Sequence, residues 1–477
     1  MTYATTTSAQ TICPYCNNHC QRTFIDIETE SAQDGARRQI TGNACEKGAA
    51  DDPKQVRAIA DQLNEVLLRT ENFPAIAAKE AFKSLEPEII SERVPRIALT
   101  CGARERSRTR RKRETLRVGI PRVLNVYAAA PLLTAYFESL GVAHNNIVFS
   151  DYTTEKLYRE GSTRASIDPC FPSKLGIAHV HNLIFEKHRK RPLDAIIFPM
   201  LDDLPTDLVN TRACRVCPTI TATATAVRAA FSRDGDTFAE KGIEFFRPFL
   251  NVAQPALFER QMYDQLAGLL GLSRRENARA VGAGYSALAR YKESMRQRAG
   301  TVLRRLEMED QVGIVLLGRP YHNDPGINHD ILGELQKRGY PVFTSDSLPI
   351  DGETMSRLFG EEVKTGVIAH PLDISDVWKN TFNSVSNQKL WAAKFAARHP
   401  NLIPLEVSSF RCGHDAPIYS AIEAIVESSG TPYFSFKDLD ENKSSGSIKI
   451  RVETIDYFLR RHREELAANR TLAVAAG

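Results

Sequence analysis

Four cysteines lie close together near the start of the chain, in a pattern that could bind a metal. They are Cys13, Cys16, Cys20 and Cys45. One turn of backbone can present the first two thiolates to the same ion, and the other two can complete a tetrahedral site. Zinc and an iron-sulfur cluster both accept four thiolates, so the spacing leaves that choice open. We therefore predict a metal site here, either zinc or iron-sulfur, and a purely structural role for the metal stays open.

The other five cysteines are dispersed, and a single cysteine is more often a small buried residue than a ligand. Cys170 and Cys217 each precede a predicted helix, and Cys412 follows a predicted strand. Thiolates are stabilised at helix N-termini, and ligands of open α/β sheets gather at the carboxyl ends of strands. These three cysteines could therefore meet at one site, or they could be core thiols. Cys101 and Cys214 receive no role.

A polar loop follows the predicted strand 312–317 and contains Arg319, His322 and His329. An arginine at such a loop can bind phosphate, and histidines can transfer protons. We name these three as candidate catalytic residues, although a rigid, well-capped turn would explain the loop equally well. The sequence has no G-x-x-x-x-G-K-[ST] motif, which argues against a P-loop ATPase.

The elements that must position these residues follow an alternating pattern. From residue 116 onward, short apolar runs alternate with segments of helical periodicity, which predicts parallel sheets covered by helices. Strands are predicted at 116–120, 147–149, 195–200, 312–317, 342–344, 366–369 and 402–407. We predict a cysteine-rich module over 1–50, a helix and basic connector over 51–115, an α/β domain with a helical bridge over 116–310, and a second α/β domain with a C-terminal helix over 311–477.

Composition narrows the class of protein. The 477 residues suggest about three units, and 42% hydrophobic with 25% charged residues is ordinary for a folded chain. With 62 basic and 58 acidic residues the net charge is +4, which argues against a nucleic-acid-binding polycation. The basic run over 104–113 could be a solvated connector or a patch for an acidic partner. We find neither a signal-peptide layout nor a membrane-length apolar stretch, so we expect a cytoplasmic protein without a membrane span.

The chain resembles the C-terminal half of the acyl-CoA dehydratase activase-related proteins, the CoA-substrate-specific enzyme activase group. More distantly it is similar to the iron-sulfur subunits of 2-hydroxyacyl-CoA dehydratases and to the double-cubane cluster proteins. The resemblance covers nearly the whole chain. It is carried by CPYCNNHCQRTFI, GNACEKG, RVGIPRVLNVY, IDPCFPSKLGIAHV, CPTITAT, GIVLLGRPYHNDPGINH, SSFRCGHDAPIY and DLDENKSSGSIKIRVETIDYFL.

The resemblance implies an α/β fold with two Rossmann-like parallel-sheet domains facing each other across a cleft. It also implies that Cys170, Cys217 and Cys412 hold an iron-sulfur cluster, 4Fe-4S or double cubane. Low-potential electrons would then reach an acyl-CoA or another small molecule, with the polar loop lining the cleft. The family's ATPase half has no counterpart here, so a separate ATPase chain would have to be the partner, or the protein works without one. The similarity to paired dehydratase subunits implies a dimer.

Two other functions compete with this interpretation. One is a non-catalytic metal-binding scaffold that docks an ATPase onto a separate enzyme. The other is a zinc-bearing nucleic-acid adaptor, which the near-neutral net charge disfavours.

Overall fold

The computed structural model describes residues 2–14, 21–28, 37–42, 46–90, 109, 111–164, 170–409, 411–440 and 445–476. Its helices are Pro53–Arg69, Phe73–Glu80, Val126–Ser139, Glu155–Ser162, Phe171–Asn182, Pro218–Ala230, Thr237–Glu240, Pro255–Leu270, Arg274–Met308, Ile331–Lys337, Gly352–Lys364, Ser384–Arg398, Tyr419–Glu427 and Ser445–Ala476. Within that described part, no helix combines the length and the hydropathy needed to cross a membrane.

The predicted N-terminal module, over the residues that the structure describes, contains a three-stranded antiparallel sheet of β1 (Thr2–Thr6), β2 (Thr23–Glu28) and β3 (Arg37–Thr41). The side chain of Arg22 is buried beside it and donates hydrogen bonds to the carbonyl oxygens of Thr11 and Ala50, at 3.1 and 2.9 Å. These bonds tie the two ends of the module together.

The predicted metal site of this module stays a prediction. Cys13 is buried. Its three proposed partners, Cys16, Cys20 and Cys45, lie outside the described residues, as does Cys101.

The first parallel sheet has the order β5-β4-β6-β8. Its strands are β4 (Val118–Ile120), β5 (Ile147–Phe149), β6 (Ala195–Ile197) and β8 (Glu244–Phe246). Two further strands, β7 (Met200–Asp203) and β9 (Phe249–Asn251), pair in parallel beyond it.

The second parallel sheet has the order β11-β10-β12-β13. Its strands are β10 (Gly313–Leu317), β11 (Val342–Thr344), β12 (Leu402–Ser409) and β13 (Phe434–Leu439). The α/β class with parallel sheets is therefore confirmed. The strand predicted over 366–369 is wrong, because that segment is a turn in which Gly366 has φ 77° and Val367 is exposed.

The helix Arg274–Met308 joins the cores of the two sheets. Leu288 packs in the first core and Met295 in the second. A capping box of Ser273 and Glu276 begins this helix. Arg113, from the end of the basic run, is buried and pairs with Glu276 at 3.1 Å, so this arginine is neither solvated nor available to a partner.

The carboxyl edges of the two sheets approach each other at the loop after β10. The buried carboxylate of Asp324 accepts hydrogen bonds from the hydroxyls of Tyr127 and Thr153, both at 2.9 Å. A Cβ atom at Gly326 would lie 2.1 Å from the carbonyl oxygen of Thr153, so only glycine permits this approach.

His179 makes folding stability depend on pH. It is fully buried, its ring nitrogens bond to the hydroxyls of Ser150 and Thr153 at 2.8 and 3.0 Å, and burial lowers its pKa to about 3. The unfolded chain takes up this proton near pH 6.5, but the folded chain does not, so stability falls as the pH drops. We expect this residue to account for a loss of about 2 kcal/mol between pH 7 and pH 5.

Urea unfolding at both pH values checks this expectation. His179→Gln should flatten the pH dependence by that amount, whereas the same change at the exposed His370 should not. Equal pH dependence in wild type and His179→Gln would contradict the assignment.

Candidate functional site

Three cysteines line one cavity between the carboxyl edges of the two sheets: Cys170, Cys217 and Cys412. We call it the cysteine cavity. Its empty volume, including space open to solvent, is about 870 Å³. Cys170 and Cys217 come from the first half of the fold and Cys412 from the loop after β12, so the structure brings together the three dispersed cysteines that the sequence pointed to.

The local sequence explains how each thiol reaches this cavity. Cys170 and Cys217 are the N-cap residues of Phe171–Asn182 and Pro218–Ala230, and each helix has a proline in its first turn. Proline is favoured in the first turn of a helix, so each helix begins close to its proline. The cysteine just before this turn is therefore placed at the helix N-terminus. Cys412 begins a tight turn in which its carbonyl accepts the backbone N–H of Ala416 at 3.1 Å.

The three thiols share one electrostatic environment. Burial raises the pKa of Cys170, and negative charge on Cys217 and Cys412 raises it further. Burial also raises the pKa of Cys412, although Arg319 opposes it. Burial opposes ionisation of Cys217 as well, but hydrogen bonds from His414 and from two backbone amides bring its pKa to about 7. A positively charged group in the cavity would stabilise all three as thiolates.

A buried network of four charges lies behind the cavity. Arg319 pairs with Asp415 at 2.7 Å, and Lys389 pairs with Asp415 at 3.2 Å and with Glu406 at 2.8 Å. Ser408 donates a further hydrogen bond to Asp415 at 2.6 Å. Burial disfavours the charged guanidinium, yet Asp415 and Cys412 outweigh it and raise the pKa of Arg319. Arg319 therefore brings a permanent positive charge to the cavity wall.

The other two candidate catalytic residues occupy different positions. His322 is buried, and its Nδ1 atom accepts the backbone N–H of Arg319 at 2.9 Å. Burial lowers its pKa to about 3, so the ring is neutral and holds the loop in place. His329 has a backbone φ of 52°. Its ring stacks on the ring of Phe171, with 6.0 Å between the two ring centroids. The catalytic role of all three residues stays a prediction.

Sequence reasoning missed several residues of this site. His414 and Asp415 lie in the FRCGHDAP segment but were not predicted as site residues. Lys389 could have been predicted to be a buried, paired residue, because it lies among apolar residues of the helix Ser384–Arg398. A lysine on the buried face of a helix needs a carboxylate partner.

Three cysteines and an arginine line the cysteine cavity. In the described part of the chain, no three His, Cys, Asp or Glu side chains are grouped to hold one metal ion. Iron-sulfur clusters are held by cysteine thiolates. Three cysteines spread around a cavity, with an arginine beside them, are compatible with such a group.

The fold and the site define an α/β protein whose two parallel sheets enclose a three-cysteine cavity between their carboxyl edges. Residues 117–348 match the family described as the CoA enzyme activase uncharacterised domain. The predicted resemblance to acyl-CoA dehydratase activase-related proteins is thereby confirmed. A search of curated proteins found no match.

Proposed function

We propose that this protein is a cytoplasmic iron-sulfur redox protein that passes low-potential electrons to an acyl-CoA or another small molecule. The observation that supports this best is the convergence of Cys170, Cys217 and Cys412 on one cavity. A separate ATPase chain would energise the electrons, as the activase-like family suggests in general terms.

Cys170, Cys217 and Cys412 would hold the cluster, of the 4Fe-4S or the double-cubane type. When bound, a cluster supplies single electrons at low potential and an iron that can act as a Lewis acid. The protein's own part is to supply thiolates, and the His414 hydrogen bond favours the thiolate of Cys217. Hydrogen bonds to cluster sulfurs are one of the means by which a protein sets the potential.

Arg319 would bind or orient a substrate oxygen at the cavity wall. Its guanidinium is held by Asp415 at 2.7 Å, so its position is fixed before any substrate arrives. Fixed charge of this kind stabilises negative charge that develops during a reaction, because little reorganisation is needed. His322 would act through Arg319 by holding the loop backbone.

Anaerobic purification followed by iron, sulfide and zinc analysis, with EPR of the reduced protein, tests the proposal. We expect a brown protein with iron and acid-labile sulfide. A colourless protein that takes up no iron on reconstitution would overturn it. Assays with candidate acyl-CoA compounds and a partner ATPase then separate an enzyme from the alternative, a non-catalytic scaffold for an ATPase-enzyme complex.

The N-terminal cysteines should hold a second, independent metal. We expect Cys13→Ser to remove one metal site, whether zinc or iron-sulfur, and to leave the metal of the cysteine cavity unchanged, because no cavity residue comes from the described part of the module. Metal analysis of the variant beside the wild type measures this. Unchanged metal content would contradict a site at Cys13.

A further inference from the structure

Tyr321 brings a phenol group to the wall of the cysteine cavity. It belongs to the turn Pro320–Asn323 after β10, where its backbone carbonyl accepts the N–H of Asp324 at 3.1 Å. Its ring nevertheless packs in the core of the first sheet, and the residue is only 2% exposed. The side chain is therefore held between the two halves of the fold before any ligand binds.

The hydroxyl of Tyr321 makes no hydrogen bond to any residue that the structure describes. Its oxygen is not fully enclosed by the described protein atoms either, and because the side chain lines the cavity, the open side of this hydroxyl faces the cavity. A buried tyrosine hydroxyl usually has a hydrogen-bond partner, and the lack of one costs free energy. The group therefore favours an acceptor supplied by the occupant of the cavity.

The electrostatic surroundings of this hydroxyl indicate sulfur as the acceptor. Burial raises the pKa of Tyr321, and Arg319 opposes this rise. Negative charge on Cys412, Cys170 and Asp415 adds to the rise. The phenol therefore stays protonated and remains a donor. Of these three acidic groups, the two cysteines line the cavity, one from each half of the fold.

The other polar side chains of the described cavity wall are less suited to this role. The guanidinium of Arg319 is paired with Asp415, and the ring of His414 bonds to Cys217. Ser409 offers a second buried hydroxyl, but an aliphatic alcohol is a weaker donor than a phenol. Two further polar residues of the wall are exposed: Thr219 and Arg411.

We propose that the hydroxyl of Tyr321 donates a hydrogen bond to a sulfur atom of the cluster in the cysteine cavity and thereby sets its reduction potential. This inference rests on the proposed function. A reduced cluster carries one more negative charge than an oxidised cluster, so a hydrogen-bond donor stabilises the reduced form more strongly. Tyr321 therefore raises the potential without being a ligand.

Anaerobic redox titration of the full chain, followed by EPR, tests this inference. We expect Tyr321→Phe, which removes one oxygen atom, to take up as much iron and sulfide as wild type. Its equilibrium constant for one-electron reduction should fall about threefold to tenfold, the size of one hydrogen bond, so its potential becomes more negative by up to about 59 mV. Pulsed EPR before and after exchange into heavy water should show that the variant lacks one exchangeable proton that couples to the wild-type cluster.

Tyr340→Phe is the matched control. Tyr340 is buried in the second half of the fold, its hydroxyl donates to Asp456 at 2.7 Å, and it does not line the cavity in the described structure. This variant should have the wild-type potential. Equal potentials in wild type and Tyr321→Phe, an equal shift in Tyr340→Phe, or loss of the cluster from Tyr321→Phe would each overturn this inference alone. A wild type that takes up no cluster on reconstitution would overturn the proposed function as well.

Discussion

Cys412→Ser should abolish the iron-sulfur cluster that we propose for the cysteine cavity. Among the described residues that line the cavity, Cys412 is the one thiol that follows a strand of the second sheet. A serine hydroxyl is a far harder ligand than a thiolate. With two cysteines left, the cavity keeps too few soft ligands for a cluster. We expect iron and sulfide in the cavity to fall to background and the EPR signal of the reduced cluster to disappear. Cys170→Ser and Cys217→Ser should give the same result.

Cys214→Ser is the matched control for this result. Cys214 stands three residues before Cys217, but its thiol interacts with Thr211 and Asp203. Iron content and EPR should therefore match wild type. Full cluster content in Cys412→Ser, or equal loss in Cys214→Ser, would contradict the assignment of the ligands.

Lys389→Met should destabilise the fold strongly. Lys389 and its partners Glu406 and Asp415 are fully buried, so removal of the ammonium leaves an uncompensated negative charge in the core. Breaking a buried ion pair in this way costs about 3–5 kcal/mol. Urea unfolding of wild type and variant, without bound metal, measures the loss.

A double variant separates two contributions to the loss of stability: the loss of the ion pair itself and the cost of leaving one charge buried without a partner. Lys389→Met with Glu406→Gln removes both charges, so it should recover part of the stability lost by Lys389→Met alone. Lys364→Met is the control, because the side chain of Lys364 is 80% exposed and pairs with an exposed glutamate. This variant should unfold at the same urea concentration as wild type. Equal stability of Lys389→Met and wild type would show that the buried network does not hold the site together.

The fold was largely predictable because the strands and helices of a parallel-sheet protein each produce a local pattern of apolar residues in the sequence. Short apolar strands and intervening helices repeat along the chain, and most of the predicted strands from β4 to β12 lie where expected. The segment 366–369 misled this reasoning because it is apolar in sequence, but only Ile368 is fully buried and it packs in the second core without a strand neighbour. A segment becomes a strand only if it can form hydrogen bonds with a neighbouring strand at the edge of a sheet. The periodicity of apolar residues does not show whether such a neighbour is available.

The site was less predictable because its parts are distant in sequence. About half of the chain separates Cys170 from Cys412, so spacing alone cannot show that they meet. The prolines after Cys170 and Cys217 marked helix starts, and the family resemblance supplied the rest. Glu406 was hidden because it stands in a strand in which every residue is buried, and its partner Lys389 is on a separate helix.

Because the cavity is divided between two sheets, its parts are synthesised at different times. During synthesis the first sheet and two of its thiols leave the ribosome long before β12 and the loop that carries Cys412. The cavity is complete only once the last third of the chain has been made and has docked. A cofactor held by all three thiols can therefore bind only after Cys412 has been synthesised, and a chain that ends before β12 would lack the third thiol of the cavity.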